Sequence, residues 1–384
     1  MTTKSKLNSK LPHIGTSIFA VMSKLANDNN AINLSQGFPD FNCSGELIEL
    51  VNSFMKKGFN QYAPMPGTIE LRNEISRVIK NLYGKHYNPE TEITVTAGAT
   101  QALFTAFSTL IEKGDEVIIF EPAYDSYIPA IKLNGGIPVS IELNEKDFSI
   151  PWDKVESKIT DKTKCIVFNS PHNPTGTILN QDDISTLIEL VKNKNIHFIS
   201  DEVYEHIIFD DKEHLSFSKY DELAKKTFVI SSFGKTFHTT GWKTGYCCAP
   251  EELMREFRKI HQFIVFAVNT PVQLAIAEFL KNDSNYLGLK DFYKKKRDLF
   301  RDLIKDSNFK LLDCNGTYFQ LLDYSNISDM NDMDFSKHLI EKIGVAVIPI
   351  SPFCSTEVKS TIVRVCFAKK DEVLINASQK LRSL

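Results

Sequence analysis

Apolar positions recur along this chain with two periods, and the way those periods alternate predicts the architecture. In residues 16–25, Ile18, Val21, Met22 and Leu25 stand three and four apart, the spacing of a short amphipathic helix. Residues 92–96 alternate as a strand does, and a helix opens at 97–103. Short apolar runs at 116–120, 165–168, 197–200 and 227–230 read as buried strands closed by turn residues, and Cys247 and Cys248 end another with side chains on opposite faces. Helical patterns cover 69–82 and 251–266, a helix starts near 123–127, and a further long one starts near Thr270. Strands alternating with helices from about residue 45 to 280 predict an α/β fold: a doubly wound, mostly parallel sheet with helices on both faces.

From residue 291 the organisation changes. A basic helix leads to short strands at 309–312 and 316–322, a helix near 335–343 and a strand at 345–348. A last strand spans 362–367. That is the pattern of a smaller α+β domain. Phe263 and Phe266 are expected to pack in the core, with a substrate-pocket wall as the alternative.

Composition narrows the class. Hydrophobic residues make up 42% of 384, enough for a sizeable core, and the net charge of −3 argues against a nucleic-acid or membrane-surface partner. The basic run 294–297 reads as a solvated helix face, and the polar residues 1–10 as a disordered tip. Seven scattered cysteines without framework or ligand spacing suit a reducing cytosol and give no metal site. With no run long enough to span a bilayer, the expectation is a soluble cytoplasmic protein.

The chemistry concentrates in residues 231–245. Lys235 falls just past the 227–230 strand, in a small-residue loop, with Ser232 and Lys243 placed to ligate an anion. An amine nucleophile beside a phosphate site is what pyridoxal phosphate requires: the amine forms a Schiff base with the aldehyde and the phosphate fixes the ring. Gly98, Ala99 and Thr100 open a helix where backbone N–H groups and the dipole favour an anion. Asp201 ends a strand, where a carboxylate can face a pyridine nitrogen or cap a helix. Asn173 lies in a stiff loop between two prolines at a strand end, where cis bonds are possible. Arg364 interrupts an apolar strand and needs an anionic partner, whether a ligand carboxylate or a structural ion pair. Taken alone, Tyr124 reads as core packing, Tyr62 as loop packing and Gly37 as an ordinary turn.

The motifs Ser-Phe-Gly-Lys-Thr-Phe-His and Gly-Trp-Lys-Thr-Gly-Tyr resemble the lysine segment of class I, fold-type-I aminotransferases. They look most like the branch that holds methionine-preferring and kynurenine/glutamine enzymes. The resemblance runs from Leu11 to Lys370 and includes Gly-Phe-Pro at Gly37 and Asn-Pro-Thr-Gly at Asn173. It implies a large cofactor domain at 45–285 and a discontinuous small domain, 1–44 plus 286–384. It implies pyridoxal phosphate on Lys235, with Tyr124 stacked on the ring and Asp201 at its nitrogen. Asn173 and Tyr204 fall at its phenolate oxygen, and Gly98, Ala99, Thr100, Ser232 and Lys243 at its phosphate. Gly37, Asn173 and Arg364 fall to the substrate, and Tyr62 to the phosphate in a neighbouring subunit, hence a homodimer. Lys243 stands where aspartate-type enzymes carry arginine, which shifts the expected donor towards a neutral or aromatic amino acid, methionine first, with a 2-oxo acid as acceptor. The rivals are a cysteine-conjugate or cystathionine β-lyase, a cofactor-sensing regulator and an inactive homologue.

Overall fold

The structure, a computed structural model, describes residues 8–12, 14–192 and 194–384; residues 1–7 of the polar tip lie outside the described residues. The first helix is Ile18–Asp28, two residues later than its pattern predicts, because the Ser17 hydroxyl caps it by accepting from the Ala20 N–H. It buries Met22 and Ala26. The chain then forms β1 (Ile32–Asn33), whose partner comes from the far end of the sequence.

The large sheet holds β2 (Ile93–Thr96), β3 (Glu116–Glu121), β4 (Ile137–Glu142), β5 (Thr163–Asn169), β6 (His197–Asp201), β7 (Thr227–Ser232) and β8 (Gly245–Cys248). Their spatial order is β2-β8-β7-β6-β5-β3-β4, and only β8 runs antiparallel to its neighbours. The continuous apolar runs are explained by burial on both faces. Ile118, Ile166, Phe168, Phe198 and Cys248 point to one core with helices Ile69–Tyr83 and Thr270–Leu280. Val117, Ile119, Val167, Ile199 and Cys247 point to the other, with helices Ala99–Leu110 and Glu251–Ile264. Adjacent Cys247 and Cys248 thus face opposite ways, and all seven cysteines are free.

The remaining strands are β9 (Lys310–Leu311), β10 (Phe319–Asp323), β11 (Val345–Ala346), β12 (Ile348–Pro349) and β13 (Ile362–Cys366). An antiparallel sheet has the order β12-β13-β10-β9, while β11 pairs in parallel with β1. The apolar stretch 345–348 is therefore two strands serving two sheets, not one. Tyr293, Phe300, Phe309, Val363, Val365 and Leu374 fill a separate core beside this sheet.

Three expectations fail for physical reasons. Arg297, in the run read as solvated, is 6% exposed: its guanidinium clasps Asp210 at 2.5 and 2.8 Å and lies over the Phe209 ring. Phe263 and Phe266 are 86% and 49% exposed and belong to neither core nor cleft. The helix expected from 123 begins at Tyr127, after the cis Glu121–Pro122 bond, which leaves Tyr124 in a loop. No helix among the described residues is long and apolar enough to cross a membrane.

Candidate active site

β2, β5, β6 and β7 run the same way, so the loops that follow them meet at one edge of the sheet. There Gly37, Gly98, Ala99, Thr100, Tyr124, Asn173, Asp201, Tyr204, Ser232, Lys235, Lys243 and Arg364 line a single cleft of about 240 Å³. Tyr62 is not among its walls. It is 83% exposed, edge-on to Phe266 at 5.4 Å between ring centres.

β7 ends at Ser232 and passes directly into one helical turn, Phe233–Thr236, so Lys235 sits on a helical turn and not in the loop its small neighbours predict. Its Nζ donates to the Gly37 carbonyl at 3.2 Å and to the Tyr318 hydroxyl oxygen at 3.0 Å. Burial, reinforced by the positive charges of Arg364 and Lys243, lowers its pKa to about 8.

An anion cradle adjoins the lysine. Gly98 holds φ at 77° and precedes helix Ala99–Leu110 without a side-chain cap, leaving the first N–H groups of the helix facing the cleft. A Cβ on Gly98 would lie 3.5 Å from Lys243 Nζ, and one on Gly245 would press within 3.0 Å of the Ala99 nitrogen. Only glycine leaves this space open. Lys243 turns its backbone into the left-handed region, φ 54°, as the chain rounds the rim.

Asp201 ends β6 and is buried, which raises its carboxyl pKa to about 6 despite a 2.6 Å hydrogen bond from the Tyr127 hydroxyl and the nearby positive Lys235. Turns follow it, not a helix, so the helix-cap alternative fails. Two buried glutamates hold the 201–205 segment. Glu202 accepts from Ser200 Oγ (2.7 Å) and the Phe217 N–H (3.0 Å), with His214 Nε2 at 2.8 Å. Glu205 accepts from Tyr83 (2.7 Å), Ser231 (2.5 Å) and Tyr246 (3.0 Å), so β7 is tied to the Tyr204 segment one strand away.

Two bonds of the Asn173 loop, Ser170–Pro171 and Asn173–Pro174, are cis. Asn169 straps the loop to β6: its Oδ1 accepts from the Asn173 N–H at 2.8 Å and its Nδ2 donates to the Asp201 carbonyl at 2.9 Å. Asn173 Oδ1 in turn accepts from Arg364 Nη1 at 2.6 Å. That arginine is 1% exposed and stacks on Phe319, its guanidinium carbon 3.8 Å from the ring centre. Among the described residues its other partner is the Ser35 carbonyl at 3.4 Å, and its buried Nε has none. Neither partner is a carboxylate, and burial lowers its pKa to about 10. The structural ion-pair alternative is thus not realised.

Tyr318, Tyr127, Asn169 and Thr240 touch or line this site without having been singled out from sequence. Asn169 lies within the stretch already read as a strand end, and Tyr127 within the one read as a helix start. Tyr318 comes from the small-sheet region, 83 residues from Lys235, and no local signal links the two.

The donors fit a phosphorylated pyridine: an uncapped helix start with a lysine, a carboxylate, and an amine at one cleft. Comparison with known proteins agrees. Residues 29–381 match the family model for class I and II aminotransferases. The chain is 45% identical to methionine aminotransferase of Escherichia coli, over 98% of each chain, and the crystal structure of that enzyme superposes with a TM-score of 0.97, covering 98% of this chain and 99% of that one. It is 34% identical to kynurenine–oxoglutarate transaminase of Dictyostelium discoideum, over 100% of this chain and 98% of that one. Members of the family carry pyridoxal phosphate as a Schiff base on a lysine. The protein therefore belongs to the class I and II aminotransferases and is a pyridoxal-phosphate-dependent amino acid aminotransferase.

Proposed function

We propose that the protein transfers the α-amino group of L-methionine, and less readily of other neutral or aromatic amino acids, to a 2-oxo acid in two half-reactions. The observation that carries this reading is the charge inventory of the cleft. Three cationic side chains line it, Lys235, Lys243 and Arg364. The amine, the phosphate and the α-carboxylate account for all three, so among the described residues of this chain none is left over to pair with a second substrate carboxylate. Phe19, Phe38 and Phe319 line the same cleft, and a thioether packs well against aromatic rings. The relatives named for methionine and kynurenine point the same way.

Pyridoxal phosphate supplies an electron sink that makes the substrate Cα–H acidic. Lys235 holds the cofactor and, once displaced, takes the Cα proton and returns it one carbon away. Its lowered pKa keeps a usable fraction as free amine at neutral pH. Gly98, Ala99, Thr100, Ser232 and Lys243 hold the phosphate. Tyr124 would lie against the ring, Asp201 would hold a negative charge for the pyridine nitrogen, and Asn173 and Tyr204 would serve the phenolate oxygen. Arg364 binds the α-carboxylate over Phe319, beside Gly37, using its unpartnered Nε.

The same reading gives a large domain at 45–285 and a small one at 1–44 plus 286–384, supported by the pairing of β1 with β11. It also gives a homodimer in which Tyr62 completes the neighbour's phosphate site. The exposed Tyr62, Phe263 and Phe266 support that surface. Seven free cysteines suit a cytoplasmic location.

The test is an absorbance titration of the holoprotein with L-methionine and no acceptor. Conversion of the visible band to the pyridoxamine form, with release of the 2-oxo acid, is expected. A band that ignores methionine but responds to glutamate overturns the donor assignment. Release of pyruvate and ammonia from cystathionine without an acceptor would show the β-lyase instead.

A further inference from the structure

Lys235 Nζ has two hydrogen-bond partners, and they also bond to each other. The Tyr318 hydroxyl donates to the Gly37 carbonyl at 2.7 Å, closer than either oxygen lies to the amine, at 3.0 and 3.2 Å. Its one proton is therefore committed to the carbonyl, and it shows the amine only lone pairs. Both neighbours act as acceptors, so amine hydrogens point towards them. The nitrogen lone pair is excluded from that side by repulsion between lone pairs. It faces the opposite way, into the cleft.

The arrangement is rigid on both arms. Tyr318 is fully buried, its ring edge-on to Tyr204 at 5.1 Å and packed against Tyr293 at 5.6 Å. The Gly37 carbonyl is held from either side, because buried Lys369 donates to the Phe38 carbonyl at 2.7 Å and to the Gln36 carbonyl at 3.4 Å. Burial pushes the Tyr318 phenol well above its ordinary range, so it remains protonated and keeps its bond to Gly37 at any working pH.

We propose that Tyr318 is a positioning residue for the reaction: with the Gly37 carbonyl it seats the free Lys235 amine so that the lone pair, and not an N–H, faces the cleft. When the amine takes a proton from the substrate carbon, the new N–H forms on the cleft side. It is then the one placed to be given back, while the seated hydrogens stay bound to oxygen. The same orientation serves attack on an aldehyde when the protein first captures its cofactor. The inference rests on Lys235 being the cofactor lysine.

The variant is Tyr318→Phe, which removes one oxygen and keeps the ring. Two measurements on apo-protein separate positioning from damage to the cleft. Capture of pyridoxal phosphate, followed by visible absorbance, should slow about fivefold, the usual worth of one hydrogen bond. Equilibrium binding of pyridoxine phosphate, which has no aldehyde, should stay within about twofold, since the cradle is untouched. In the holoprotein the methionine half-reaction should slow by a similar factor. The kinetic isotope effect with Cα-deuterated methionine should rise as proton transfer becomes more limiting, and KM should move little. Lys369→Met, which loosens the Gly37 carbonyl from its other side, should change the same rates in the same direction. Unaltered capture and isotope effect in Tyr318→Phe overturn the proposal, as does an equal loss of pyridoxine phosphate binding. Borohydride reduction of wild-type holoprotein followed by peptide mapping keeps the premise separate: an adduct on another lysine overturns the reading beneath, whatever the variant does.

Discussion

Replacing Lys235 with methionine should make the apo-protein more stable at neutral pH, by an amount that disappears in alkali. Methionine keeps a similar apolar stem and removes the amine, with its charge and its hydrogen bonds. The amine has its pKa lowered from 10.5 to about 8 by burial. Each pH unit of difference corresponds to about 1.4 kcal/mol, so the charged form costs the folded state up to about 3 kcal/mol. The sign follows from where the protons are. Above about pH 10.5 the amine is neutral whether the chain is folded or not, and it costs nothing. As pH falls towards 8, the unfolded chain binds a proton that the folded chain refuses, and the cost grows. Below about 8 it is at full size. Against this gain stand two hydrogen bonds, to Gly37 and Tyr318, worth about 1 kcal/mol each. The net stabilisation at pH 7 is then about 1 kcal/mol, while the change in the difference between pH 7 and pH 10.5 keeps the full size of about 3 kcal/mol. Urea unfolding of both apo-proteins across that range measures it, and the titration of every other group cancels in the difference. A wild-type-minus-variant stability that is flat with pH would refute the lowered pKa. With it would go the account of how an ordinary lysine serves as a base, since at pH 7 the shift raises the neutral fraction about 300-fold.

Three further outcomes are expected. Arg364→Ala should raise KM for every amino acid donor alike, about 100-fold, because a charge-assisted bidentate grip on the α-carboxylate is lost; steady-state kinetics on three donors would reveal a selective effect if the role is wrong. Tyr127→Phe takes a donor from the Asp201 carboxylate and so raises a pKa already about 6 towards about 7. Since the pyridine nitrogen needs the anion, pyridoxal phosphate affinity should fall away at a higher pH in the variant than in wild type, as fluorescence titration would show. Gly67→Ala should cost about 3 kcal/mol in urea unfolding without touching the cleft, because φ is 102° there and a Cβ would collide with a Val95 methyl.

What the sequence revealed and what it concealed follow from the range of the forces involved. Buried parallel strands are continuous apolar runs, so β5, β6 and β7 were readable. The edge strand β4 was not, because Pro138 and Ser140 interrupt its pattern and one face is half exposed. Residues whose chemistry depends on a strand end or a helix start, such as Asp201, Gly98 and Lys235, were marked by local turn signals, and the fold brings them all to one cleft. Arg297 and Tyr318 were opaque for the opposite reason. Arg297 is buried by an aspartate 87 residues away, and Tyr318 meets Lys235 only because β10 brings the preceding loop across the sheet edge. Long-range pairing leaves no local period.

The electrostatics of the cleft also decide which part of the lysine's reactivity survives loading. Arg364 and Lys243 repel the Lys235 charge, but on the proposed reading a phosphate would occupy Lys243 and a carboxylate Arg364, and an anion at either position would cancel its repulsion. If those two charges were the main cause of the lowered pKa, the lysine would lose its basic form when it is needed. Burial is the larger cause, and binding of a ring and an amino acid only deepens it. The Gly37 and Tyr318 oxygens accept from ammonium and amine alike, and so they orient the nitrogen in either state without fixing its charge. The share of the lowered pKa that comes from burial is therefore kept when the ligands bind. A second substrate carboxylate with no cation beside it would bring a negative charge near an amine that must stay neutral, and in the buried cleft it would raise that amine's pKa. On the proposed reading, a preference for neutral side chains would serve the chemistry of the base as well as the shape of the pocket.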